Sequence, residues 1–161
     1  MTPCPRGVAA ALLATIVGAS PAAAQSALHP YGEARIDAIV GSVPAVQGGA
    51  GVVFPLGYYV RLGTTIAGGM SRVAGAAVPG GRADVIARFL LDPFRESAWG
   101  LSLGGGASVR WDDRRGWRPY LAVVADLEAP RHGGITPAFA LGLGGGARLG
   151  IALRWARKEV R

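Results

Sequence analysis

The chain has 161 residues, enough for one domain. Its Lys+Arg 17 and Asp+Glu 10 give a formal net charge of +7. The arginines are scattered singly, with no dense basic patch and no nucleic-acid motif, which argues against a nucleic-acid partner. Hydrophobic residues make up 50% of the chain, and the 26 glycines sit inside alternating runs, so an all-β protein fits better than a disordered one.

Arg6 gives the start of the chain a basic character, and Val8 to Val17 is an apolar stretch too short to cross a bilayer as a helix. Ala22-Ala23-Ala24 then fits the small-residue cleavage rule. Residues 1–24 therefore read as an export signal and residues 25–161 as the mature domain beginning at Gln25; an uncleaved anchor is the alternative. Cys4, the sole cysteine, leaves with the signal, so the mature chain holds no disulfide and no thiol chemistry.

The first predicted strand is Tyr31 to Gly41, with Glu33, Arg35 and Asp37 on one face and Ala34, Ile36, Ala38 and Val40 on the other. The turn Ser42-Val43-Pro44 leads to a second strand, Ala45 to Phe54, with Val46, Ala50, Val52 and Phe54 opposite Gln47, Gly49 and Gly51. Pro55-Leu56-Gly57 is the predicted turn into a third strand, Tyr58 to about Met70, which puts Arg61 on its smaller face. Ser71 to Gly81 contains Gly75 and Pro79-Gly80-Gly81 and reads as a loop. Arg82 to Leu91 reads as a fourth strand with Asp84 and Arg88 inward, although Ile86, Phe89 and Leu90 also share a helical face. An even strand count favours the strand.

The fifth strand, Trp99 to Asp112, carries the clearest pattern. Its odd positions run Trp99, Leu101, Leu103, Gly105, Ala107, Val109 and Trp111; the even positions are glycine, serine, Arg110 and Asp112. Twelve steps of roughly 3.3 Å, tilted by about 45°, cover about 28 Å, the height of an outer-membrane apolar band with an aromatic girdle at each edge. The polar turn Asp112 to Gly116 leads to a sixth strand, Trp117 to Glu128, with Arg118, Tyr120, Asp126 and Glu128 inward. The seventh strand is Ile135 to Leu143, and the eighth runs from Ala147 to about Arg157 with Arg148 and Arg154 inward. No connection has room for a crossover helix, so neighbouring strands should pair antiparallel.

Alternation alone does not say which face is inside. A soluble periplasmic barrel binding a small apolar ligand would put Leu101, Leu103, Leu121 and Val123 in its core. Two features favour the inverted arrangement. The smaller face suits the cramped interior of an eight-stranded barrel. The tryptophans Trp99, Trp111, Trp117 and Trp155 lie at strand ends on the apolar face, as in membrane aromatic belts. The expected lumen then holds Glu33, Asp37, Asp84, Asp126 and Glu128 with Arg35, Arg61, Arg88, Arg110, Arg118, Arg148 and Arg154, compensating one another as an ion-pair network. Arg110 and Arg118 are expected near Asp126 or Glu128. A narrow anion-favouring pore is the sharper alternative, since arginines exceed acids, but the interior of eight strands is about filled by side chains.

Arg148, Gly150, Leu153 and Trp155 follow the spacing of the assembly signal that ends bacterial outer-membrane barrels; the tail Ala156 to Arg161 departs from it. With the export signal and eight strands, the chain resembles small outer-membrane proteins of the OmpA/OmpX-like barrel class. That resemblance implies an eight-stranded up-and-down transmembrane barrel in the bacterial outer membrane, contacting its lipid as a monomer and inserted by the barrel-assembly machinery.

No catalytic or cofactor role is expected. Lipid A deacylases of similar size use a His-x-Ser pair, and neither His29 nor His132 is followed by serine two residues on. Two distant histidines make no metal site. The glycines of Gly142 to Gly146 precede no helix and no lysine, so they are not a phosphate loop.

Overall fold

The computed structural model describes residues 29–94, 97–130 and 134–156. The expected export signal, the tail 157–161 and His132 lie outside the described residues. Eight strands follow in chain order: β1 (Tyr31–Val40), β2 (Ala45–Leu56), β3 (Val60–Val73), β4 (Ala76–Leu90), β5 (Gly100–Asp112), β6 (Gly116–Glu128), β7 (Ile135–Leu143) and β8 (Ala147–Ala156). Each pairs antiparallel with its neighbours, and β8 pairs with β1, which closes the barrel. Closure leaves no free sheet edge, the usual liability of an all-β chain.

Sequence alternation becomes two environments. Outward residues are large and apolar: Leu121 is 88% exposed, Ile66 75% and Ile36 65%. Inward residues at the same levels are charged and almost wholly buried, with Asp37 at 0%, Glu33 at 1% and Arg82 at 2%. Leu101, Leu103, Leu121 and Val123 all lie on the exposed face. The soluble ligand-binding arrangement, which needs them inside, is therefore corrected.

Two boundaries also need correction. The expected loop from Ser71 to Gly81 is a continuation of β3 and β4, joined by the two residues Ala74 and Gly75. Both have positive φ, 49° and 82°, the pair of conformations that a type I′ hairpin turn requires. Pro79 is accommodated because the β4–β5 ladder begins at Gly80, so one flank of β4 has no partner there. The other correction is the turn after β2, which is Gly57-Tyr58-Tyr59; Pro55 and Leu56 still pair, with Arg61 and Val60. The segment Arg82 to Leu91, whose spacing also offers a helical face, is strand as far as Leu90, and its Ile86 and Leu90 are buried on the inner face.

The barrel has two unlike ends. The near end holds the start of β1, the end of β8, the connection 57–59, the end of β4 with the start of β5, and the end of β6 with the start of β7. The far end holds the connections 41–44, 74–75, 113–115 and 144–146. Val43, from the first of these, is buried against Val73 and Val78 in a small apolar cluster at the far end.

Candidate functional site

The period of two places Glu33, Arg35 and Asp37 on one face of β1, and the barrel turns that face inward. Arg35 bridges its neighbours: Nε donates to Asp37 Oδ2 at 2.8 Å, Nη2 to Asp37 Oδ1 at 2.7 Å, and Nη1 to Glu33 Oε1 at 3.3 Å. The two bonds to Asp37 form the bidentate fork that makes arginine–carboxylate pairs strong.

Two clusters build on this strand. Towards the near end, Arg154 of β8 is the hub. Its Nε donates to Glu33 Oε2 and its Nη2 to Asp126 Oδ2, both at 2.6 Å, and its Nη1 donates to Glu128 Oε1. Arg88 Nε lies 2.7 Å from the same Asp126 oxygen. Arg61 donates to Glu128, and its guanidinium sits 5.7 Å from the centre of the Tyr31 ring. Towards the far end, Arg82 reaches Asp37 across the lumen and lies 2.8 Å from Asp84 Oδ2. Arg148 donates to that Asp84 oxygen at 3.1 Å and to Ser108 Oγ at 2.6 Å. Each carboxylate is thus shared between arginines on different strands, so the charges tie the wall together across the lumen.

Glycine on the inner face supplies the room. A Cβ at Gly150 would run into the Asp37 carboxylate, and one at Gly63 into the Arg88 guanidinium. At Gly104 the constraint is the neighbouring strand instead, since a Cβ there would come 2.5 Å from the Ala87 carbonyl oxygen. Gly63 and Gly150 are small because the Arg88 guanidinium and the Asp37 carboxylate lie across them. Ile86, Ala122 and Val124 fill the remaining inner wall as an apolar cluster.

Of the residues expected in the lumen, Glu33, Arg35, Asp37, Arg61, Asp84, Arg88, Asp126, Glu128, Arg148 and Arg154 meet in this network. Arg110 and Arg118 do not. Arg110 is buried at the far end, where its Nη1 donates to the Gly145 carbonyl at 2.7 Å and its Nη2 to the Val43 carbonyl at 3.2 Å. Arg118 is exposed at the same rim. Asp126 and Glu128 are eight and ten residues beyond Arg118 on β6, opposite Ser102 and Gly100, which puts them at the other end. Arg82 was missed. Its signal was available, since it shares the parity of Asp84 and Arg88, but it stood at the edge of the apparent loop.

The aromatic residues lie at both rims. Trp111 and Trp117 are opposite each other at the far end, with ring centroids 6.4 Å apart. Trp99 precedes β5 at the near end and Trp155 ends the outward row of β8 there. Sequence reasoning overlooked a further near-end group, in which Tyr59 stacks on Phe89 at 6.1 Å and meets Phe94 edge-on. Their positions, Tyr59 and Phe94 in two separate connections and Phe89 in β4, conceal it; the register of β3 on β4, with Val60 opposite Phe89, brings Tyr59 to Phe89. Along β8, Arg148 and Arg154 face the lumen, Leu153 and Trp155 face outward, and Gly150 lies beneath Asp37. Among the described residues no group of histidine, cysteine or carboxylate side chains is arranged to hold a metal ion.

Fold and lumen together define a small closed eight-stranded barrel with an apolar exterior and a charged interior. No protein-family model matches the chain, and no curated protein does either. Solved structures do. Neisserial surface protein A (NspA) is similar over 81% of this chain and 97% of its own, with a TM-score of 0.61 and 11% identity. The N-terminal β-barrel domain of Pseudomonas aeruginosa OprF is similar over 80% and 99%, with a TM-score of 0.56 and 12% identity. A de novo designed transmembrane β-barrel is similar over 78% and 93%, with a TM-score of 0.53 and 9% identity. The fold is that of small outer-membrane-type barrels.

Proposed function

We propose that the chain is an integral outer-membrane barrel whose role is mainly structural, with the lumen filled by its arginine–carboxylate network. The inside-out distribution of residues carries this reading. A continuous belt of exposed leucine, isoleucine, valine and phenylalanine surrounds a buried set of charges. In water such an apolar surface far exceeds what a monomer tolerates, whereas in a bilayer it is the required exterior. An open furrow over Ala34 and Ala38, walled by Phe139, Leu141, Leu149, Ile151 and Leu153, has the apolar lining that acyl chains fit. Arginines and carboxylates buried across the interior favour a plugged lumen over a narrow anion-favouring pore.

Export by residues 1–24, with cleavage before Gln25, belongs to the same reading, as does a monomeric state. So does insertion by the barrel-assembly machinery through Arg148, Gly150, Leu153 and Trp155; β8 is the strand that closes the barrel on β1. The test is fractionation followed by gel migration with and without heating. The expected protein stays with the membrane until detergent is added and resists SDS until heated. A protein that leaves with the soluble periplasm, without detergent, overturns the reading.

A further inference from the structure

The outer wall is uneven in height. On β5 the outward row from Trp99 to Trp111 covers about 28 Å along the axis at the usual tilt. On β7 the outward row runs only from Ile135 to Leu143, and on β8 from Trp155 back to Ala147. Eight strand steps at the same tilt cover about 19 Å. The deficit falls at the far end. Ile135 lies opposite Trp155 and Tyr31 opposite Ala156, so β7, β8 and β1 start flush at the near end, and the turn Gly144 to Gly146 closes the β7–β8 hairpin early.

The neighbouring strand β6 is left with an open flank. Leu91 N–H donates to the Leu101 carbonyl at 2.9 Å, the next pair of the β4–β5 register. Opposed pairs alternate, so odd residues of β5 bond to β4 and even residues bond to β6. Trp117, Pro119 and Leu121 lie opposite odd residues of β5, so their backbone groups point away from it, towards β7. The β6–β7 ladder reaches only to Val123. These groups therefore have no strand beside them, at the level of outward side chains such as Leu121. Hydrocarbon does not tolerate unpaired backbone, so water and lipid headgroups must reach this flank. A partner strand is disfavoured, because Pro119 has no N–H to donate and Arg118 places a charge on the edge.

We propose that the β7–β8 flank carries a locally thinned bilayer, in which phospholipid headgroups of the far leaflet descend to the level of Leu143 and Ala147. The inference rests on the membrane reading given above. A wall shorter than the hydrocarbon thickness is met by thinning of the bilayer beside it. Trp111 and Trp117 hold the interface at full height on β5 and β6, so the compression is confined to one side. The furrow over Ala34 and Ala38 lies on that side, where Leu141, Leu149 and Ile151 give the compressed acyl chains an apolar surface.

The experiment uses residues 25–161, which contain no cysteine, folded into dioleoylphosphatidylcholine vesicles. Single nitroxide labels are placed at Leu143→Cys, Ala147→Cys and Ala107→Cys, all outward positions. Leu143 is as many steps from Ile135 as Ala107 is from Trp99, so a flat membrane would bury the two equally. Depth is read from collisions with oxygen against collisions with a water-soluble nickel chelate. Leu143 and Ala147 should read about 9 Å shallower than Ala107, the axial rise of the four steps between Ala107 and Trp111. In dilauroylphosphatidylcholine, whose core is thinner, the difference should shrink. Each variant is first shown to keep the heat-dependent gel shift of the folded barrel. Equal depths in the thicker bilayer overturn the proposal. A difference that persists unchanged in the thinner one also overturns it, since that marks water in a fixed gap. Labels that meet no acyl chains at any of the three positions sink the membrane reading itself.

Discussion

Gly32 and Trp155 face each other across the β1–β8 seam, and the indole occupies the space a side chain at position 32 would need. A Cβ built on Gly32 comes 2.7 Å from Trp155 Cε2. The ring therefore covers the glycine and shields the backbone where the barrel closes, an arrangement known to compensate for glycine in sheets. Gly32→Val should displace the indole and cost about 1–3 kcal/mol by overpacking. Gly48→Val is the control, because a Cβ there meets nothing within 4 Å. Urea midpoints in detergent should fall for the first and stay level or rise for the second.

Arg154 touches Glu33, Asp126 and Glu128, so it should be the most sensitive arginine in the lumen. Arg154→Met would leave buried carboxylates short of a partner and should cost on the order of 3–5 kcal/mol. Arg118→Gln, at the exposed rim, should stay within about 0.5 kcal/mol of the parent. Equilibrium unfolding of both variants in the same detergent checks the contrast; equal losses would refute the assignment of one to the lumen and the other to the rim.

Ala74 has φ 49°, a left-handed conformation that costs a residue with a Cβ about 1–2 kcal/mol. Asparagine tolerates it better and, before Gly75, creates the Asn-Gly pair favoured in type I′ turns. Ala74→Asn should therefore stabilise the barrel by roughly 0.5–1 kcal/mol, read as a higher unfolding midpoint. A lower midpoint would mean the turn has another geometry in solution.

Leu103 is exposed on the outer face and Ser102 is buried on the inner one. Arginine at Leu103 should cost roughly 2–4 kcal/mol near mid-membrane, falling to about 0–1 kcal/mol beside the girdle. Accessibility separates this from loss of a soluble core. A spin label at position 103 should report acyl-chain contact, and one at 102 should not. Shielding of 103 from lipid would show that the faces are reversed.

The sequence by itself determined the strands and their two faces. A strand has a period of two, so the unbroken alternation from Leu101 to Trp111 sorts side chains between environments without knowledge of any partner. Glu33, Arg35 and Asp37 were legible as inward for the same reason. Pairing between strands was not. Asp126 and Arg110 share a face of one hairpin yet lie at opposite ends, because antiparallel register sets height along the axis and parity does not. Register also decided that Gly150 must be small, since Asp37 reaches over it from β1, and that Arg82 crosses the lumen to Asp37. Breaker residues misled for a related reason. Gly75 and Pro79 signal a turn locally, but Pro79 sits in a strand because β5 ends at the level of Gly80 and leaves that flank open. Local chemistry reports what a residue prefers; only the closed barrel decides which groups stand at the same height and which backbone has no neighbour.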